Sequence, residues 1–136
     1  MDKTTLLVIC IFPFAFAVIW IVVNFILSRF GWYDLAKYYR YDASFEGTNA
    51  GIISSNISGI NYNNILNLRY NKEGFYLKTI FLFRLFHPPI FIPWKEIKNV
   101  KEGSFIFFRY KELSIGEPEV AKIRLKLVTF ERMMAR

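Results

Sequence analysis

Residues 6–27 read LLVICIFPFAFAVIWIVVNFIL, an apolar run without charge and with one interior polar side chain, Asn24. A bilayer hydrocarbon core of about 30 Å takes roughly 20 helical residues, so the run predicts one membrane-crossing helix. Pro13 withholds a backbone donor from the carbonyl of Ile9, which predicts a kink of the kind membrane helices tolerate. No GxxxG motif or stripe of small residues points to tight self-association. Residues 28–31 read as a hinge, after which Trp32, Leu35, Ala36 and Tyr39 recur at i, i+3, i+4 and i+7. That spacing makes one apolar helical face. It predicts a short amphipathic helix over residues 32–41, lying along the bilayer or packed on the domain.

Beyond Tyr41 the period shortens to that of strands. Residues 42–51 are polar and give no clear element, and 52–60 read as a strand ending at Gly59. Residues 65–70 and 75–80 alternate apolar and polar around the turn 71–74, which ends in Gly74. The pair predicts a β-hairpin. Residues 80–87 read as a further strand, closed by the rigid turn Pro88-Pro89. The alternative reading is an aromatic loop dipping into lipid beside Arg84 and His87. A short strand is expected over 90–94, a helical turn over 95–100, an aromatic strand over 105–110 and a loop over 112–119. Residues 120–130 read as a strand with Ile123, Leu125 and Leu127 on one face and Lys122, Arg124 and Lys126 on the other. Residues 131–136 begin a terminal helix. The expected organisation is an anchor over 1–28, a juxtamembrane helix over 29–41 and a β domain over 42–136.

Composition sharpens this. Fifteen Phe and eight Tyr, mostly after Ser28, exclude a disordered tail, which would be poor in aromatic residues. Lys3 and Asp2 cancel, so the whole net charge of +7 falls after residue 28. A basic domain beside a membrane suits anionic lipid, at about 1 kcal/mol for each nearby cation. Lys3 on one side of the helix faces Arg29, Lys37 and Arg40 on the other. The positive-inside rule then puts the domain in the cytoplasm, at the plasma (inner) membrane. The apolar run is longer than a signal-peptide core, which favours a retained anchor. Cys10, the single cysteine, lies within the run and excludes an intramolecular disulfide.

Two stretches carry a resemblance. Residues 66–83 (LNLRYNKEGFYLKTIFLF) read as a hairpin, followed by IFIPWKEIKNV, in which Ile90, Ile92, Pro93, Trp94, Ile97 and Val100 keep a characteristic spacing. This order resembles the pleckstrin-homology-like (PH-like) group, especially its GRAM and bacterial membrane-anchored branch, over about half of the chain. GWYDLAKYYR and FRLFHPPIFIPWKEI also resemble small bacterial membrane proteins of uncharacterised function. The resemblance implies a mainly β fold: a bent antiparallel sandwich or barrel capped by a C-terminal helix. Here FERMMAR leaves barely two turns for the cap, so the cap is short, or helix 32–41 or a partner closes the barrel end.

Catalytic patterns are missing. His87 is the single histidine and Cys10 the single cysteine, and no GxSxG, phosphate-binding loop or GxGxxG occurs. The reading is therefore of a non-enzyme without cofactor, metal or small-molecule substrate, its glutamates solvated and its His87 a structural turn residue. Candidate membrane- or partner-binding residues are Trp32, the group Lys95, Lys98 and Lys101, and the stripe Lys122, Arg124 and Lys126. Anionic membrane lipids and a membrane protein are the expected partners. Nucleic acid is not expected of an anchored domain. The alternative is a small accessory subunit of a larger membrane complex.

Overall fold

Lys3–Ser28 forms one helix, α1, continuous through Pro13 and opened by Asp2, whose side chain accepts from the Thr5 N–H. The computed structural model describes residues 2–135. α1 is long and apolar enough to cross a membrane. After a short turn, Trp32–Tyr39 forms α2.

Seven strands follow: β1 (Thr48–Ile57), β2 (Ile60–Tyr70), β3 (Gly74–Thr79), β4 (Ile90–Pro93), β5 (Ile97–Phe105), β6 (Phe108–Ile115) and β7 (Ala121–Lys126). They make one antiparallel sheet in the order β4-β3-β2-β1-β7-β6-β5, curled into a half-barrel. The curl has a local cause. β1 slips register between Asn49 and Gly51 and again between Ile53 and Ser55, and such bulges bend a strand and increase its twist. Beyond the second slip, Ser55–Ile57 pairs with β7 as well as β2.

The core lies in the concave face, which α2 fills. Trp32 and Leu35 are fully buried there with Tyr62, Phe75, Leu113 and Ile123. α3 (Leu127–Met134) sends Met133 into the same core. Both helices therefore close the half-barrel, and the C-terminal cap is two turns long.

The hairpin around residues 71–74 forms as its alternation predicts, with Tyr70 opposite Phe75 and Leu66 opposite Thr79. Several stretches differ from expectation. β1 starts at Thr48, because Asn49, Asn67 and the Gly51 carbonyl bond to one another across the strands and stabilise a polar start. Residues 81–83 form a 3-10 turn rather than a strand. At 94–96 a 3-10 turn appears, and β5 begins at Ile97. Residues 105–110 are a hairpin tip rather than a continuous strand, since Phe105 pairs with Phe108 around Ile106 and Phe107. β7 also stops at Lys126, earlier than expected. From Leu127 the apolar positions 127, 130 and 133 repeat every third residue, the spacing of a helical face.

Candidate membrane-facing site

The last turns of α1 carry a stripe that its uniform hydrophobicity conceals. Asn24 and Ser28 are buried and Trp20 and Leu27 half-buried, while their helical neighbours are exposed. The stripe continues across the turn into Gly31, Trp32 and Leu35, all buried. This face packs on the β domain. Gly31 has φ +89°, and a Cβ there would meet Ser58 Cβ at 2.8 Å, so glycine lets the β1–β2 turn close on the junction.

The segment between β3 and β4 climbs along α1. Trp20 Nε1–H donates to the Leu82 carbonyl at 3.0 Å, and the Trp20 and Phe83 rings lie 4.9 Å apart. Phe25 meets Phe86 edge-on at 5.3 Å. Within the segment, Phe83 N–H donates to Ile80 (2.9 Å), Arg84 N–H to Phe81 (3.3 Å) and His87 N–H to Arg84 (3.0 Å). Its non-helical backbone is therefore extensively bonded, while Phe81, Leu82, Leu85 and Phe86 present apolar side chains outward.

Tyr62 and His87 seal the junction. The Tyr62 hydroxyl lies 3.3 Å from the Leu27 carbonyl and 3.3 Å from His87 Nε2. His87 Nδ1 is 2.9 Å from the Leu85 carbonyl, which calls for a proton on Nδ1, so the single Tyr62 hydroxyl proton goes either to the Leu27 carbonyl or to Nε2. Burial pushes the His87 pKa below its ordinary value, against smaller opposing effects from backbone carbonyls. Burial also pushes the Tyr62 phenol up.

Trp32, read above as facing membrane or partner, is instead 0% exposed. Its ring packs on Tyr62 and His87, and its Nε1–H donates to the Pro88 carbonyl at 2.9 Å. It positions the junction from inside and leaves no exposed surface of its own. The amphipathic spacing of α2 was legible; which surface covered its apolar face was not.

The β7 stripe is exposed as its alternation predicts. Glu112 on β6 sits between Arg124 (2.6 Å) and Lys122 (3.7 Å), and Arg124 above all holds its carboxyl below the usual range. Arg124 lies over the Tyr110 ring at 4.7 Å and Lys126 over Phe108 at 5.7 Å. Lys101 stands opposite Glu112 and so joins this surface. Lys95, in the 3-10 turn, and Lys98, at the register slip of β5 and 3.8 Å from Glu96, do not line up with it. The expected lysine trio is thus dispersed. Of the paired glutamates, Glu102 is exposed beside Arg109 and Lys111, whereas Glu112, between Arg124 and Lys122, is half-buried and departs from the solvated expectation.

Sequence reasoning missed a cleft of about 660 Å³ on the outer face of β2 and β3, lined by Arg69, Lys78 and Arg84 beside Asp42, Phe81 and Tyr76. Alternation places Arg69 and Lys78 on one face, but nothing in the sequence brings Arg84 back to them. Among the described residues no group of three His, Cys, Asp or Glu side chains gathers to hold a metal. No protein-family model, curated protein or solved structure matches the chain.

Proposed function

We propose that this chain is a single-pass membrane protein whose PH-like β domain makes lipid or protein contacts at the cytoplasmic face of the plasma (inner) membrane, without catalysing a reaction. The observation that carries this reading is the docking of Tyr62 and residues 80–87 on the last turns of α1. A domain fixed in that way is held against the bilayer instead of swinging on a linker. Seven antiparallel strands followed by a helix support the PH-like assignment, and Arg29, Lys37 and Arg40 support the orientation.

The same docking sets a depth. Trp20 lies two helical turns before Leu27, about 10 Å along the axis. With residues 6–27 across the hydrocarbon, Phe81, Leu82, Leu85 and Phe86 enter the apolar layer beside α1. Non-helical backbone is tolerated at that depth where its polar groups are satisfied within the protein, and the N–H groups of Phe83, Arg84 and His87 and the Leu82 carbonyl have such partners. Arg84, at its rim, reaches back to the Thr79 carbonyl at 3.4 Å.

Extraction of the tagged full-length protein from its native membrane tests the reading. Resistance to alkaline carbonate, with release by mild detergent of a chain that enriches anionic over neutral lipid, is the expected result. Release by carbonate alone overturns it. A stoichiometric companion protein would instead make the chain an accessory subunit of a larger complex.

A further inference from the structure

We propose that the cleft on the outer face of β2 and β3 binds a phosphate group, held by Arg69, Lys78 and Arg84, with a bilayer lipid headgroup as its source. The headgroup as source rests on the reading that α1 spans the bilayer; the phosphate chemistry does not.

Strand pairing builds the cleft. Arg69 on β2 stands opposite Tyr76 on β3, and Asn67 opposite Lys78. Residues two apart along a strand share a face, so these four point away from the core residues Leu66, Leu68 and Leu77. Arg69 and Lys78 are diagonal neighbours, about 7–8 Å apart. The chain then turns through residues 81–83, and Arg84 returns to the same cleft, its Nε–H donating to the Thr79 carbonyl at 3.4 Å. The volume, about 660 Å³, is that of a small-molecule site.

The three cations are uncompensated. Among the described residues none of them has a carboxylate partner, and the one acid lining the cleft, Asp42, pairs with Arg40 at 2.8 Å. Elsewhere on the sheet Arg109, Lys111, Lys122 and Arg124 are each answered by Glu102 or Glu112. Both arginines of the cleft are tied at Nε, Arg69 to Asn67 Oδ1 at 3.3 Å and Arg84 to Thr79. Among the described residues their Nη groups and Lys78 Nζ have no hydrogen-bond partner. Asn67 is itself fixed, donating to Asn49 Oδ1 at 2.9 Å and to the Gly51 carbonyl at 3.1 Å. A guanidinium anchored on one edge offers its remaining N–H groups to two phosphate oxygens, and the ammonium adds a point charge. The two arginines also converge: burial pushes the Tyr76 phenol up, while the charges of Arg69 and Arg84 both pull it down. Like charges gathered in this way repel, and a phosphate among them relieves the repulsion.

The place of the cleft favours a lipid source. Thr79 begins the segment that climbs along α1, where Leu82 accepts from Trp20 and Phe83 packs on its ring. The row of Arg69 and Tyr76 lies three residues from Thr79, about 10 Å along the strand. Phe81, 78% exposed, marks the α1 end of the cleft. The lining therefore passes from apolar beside the helix to cationic farther out, the order in which a bilayer presents acyl chains and then phosphates.

The test titrates the full chain in mild uncharged detergent with water-soluble dihexanoyl phosphatidic acid, inorganic phosphate or hexanoate, reading the melting temperature. Phosphatidic acid should raise it at the lowest concentration, inorganic phosphate at a higher one, and hexanoate not at all. Arg69→Gln with Lys78→Gln should raise the phosphatidic acid concentration required about tenfold or more, whereas Lys122→Gln with Arg124→Gln on β7 should not. No response to either phosphate compound, or an equal response to hexanoate, overturns the proposal in the wild type alone, whether or not the cleft variant folds. An unchanged response in the folded cleft variant overturns it too. A response to inorganic phosphate without one to phosphatidic acid overturns the headgroup as source and keeps the phosphate site. Carbonate extraction of the same protein reports on α1 separately: release there overturns the membrane reading and leaves the inorganic phosphate titration standing.

Discussion

The indole N–H of Trp20 donates to the backbone carbonyl of Leu82 at 3.0 Å, joining the apolar helix to a segment 62 residues further along the chain. The bond lies where water is excluded on the proposed reading, so neither partner has solvent to fall back on. Trp20→Phe keeps the aromatic contact with Phe83 but removes the donor. The expected cost is about 1–3 kcal/mol, read as a lower melting temperature in detergent and faster amide exchange over residues 81–84. Unchanged exchange there would show that the carbonyl does not depend on Trp20.

Gly31→Ala should cost more than its single methyl suggests. The residue sits at φ +89°, and the new Cβ would press on Ser58 at 2.8 Å. More than about 1 kcal/mol of destabilisation is expected, together with loosened docking of α1. Protease cleavage near residues 29–31 is the direct measurement.

Stability should fall on mild acidification. His87 is held neutral by burial, with its folded pKa below the ordinary 6.5. Between that lowered value and 6.5 the unfolded chain binds the extra proton, so stability rises with pH across this window. The contribution is complete above about 6.5 and is lost as pH falls toward the folded value. Denaturation at a series of pH values should show this slope in the wild type and a flatter one in His87→Gln.

Ile106→Gly should stabilise the fold. Glycine takes the positive φ without penalty, a gain of about 1 kcal/mol, and it removes an exposed apolar side chain. A higher melting temperature is the expected result. A loss of stability would mean that the isoleucine has an intramolecular role.

Glu112→Gln leaves Arg124 and Lys122 without their shared carboxylate. Arg124 and Lys122 are both substantially exposed, so the stability change should stay below about 1 kcal/mol. Retention of anionic lipid during purification should rise, because the β7 cations are released. Unchanged retention would assign that stripe to solvent.

Much of the architecture was legible where side chains alternate or repeat without competition. Lys122 to Lys126 show their two faces in the sequence, as do Leu66, Leu68 and Tyr70. The docking stripe was not legible, because Trp20 and Leu27 sit in a helix that is apolar on every side, and periodicity cannot mark one face of it. Asn24 was the sole signal. It is buried, donates to the Trp20 carbonyl at 2.9 Å and leaves its Oδ1 without a partner among the described residues. The tip was misread for the opposite reason: Phe105 to Phe108 look like core strand, and only the register of β5 against β6 makes them an apex. Trp32 has the composition of an interfacial residue, and its burial depends on strands far along the chain.

The stripe that passes without interruption from Trp20 through Gly31 to Leu35 gives helix and sheet a common rotational phase. An α-helix turns about 100° per residue, so one residue inserted between Ser28 and Trp32 would swing the domain to a different side of the helix and separate every partner described above. Deviation of the helix from the membrane normal must likewise reappear as inclination of the whole sheet. Helices adjust their lean to the thickness of the surrounding hydrocarbon, and on the proposed reading that adjustment would tilt the seven strands with α1. On the proposed reading the protein is a lever with one arm in the bilayer and the other seven strands wide.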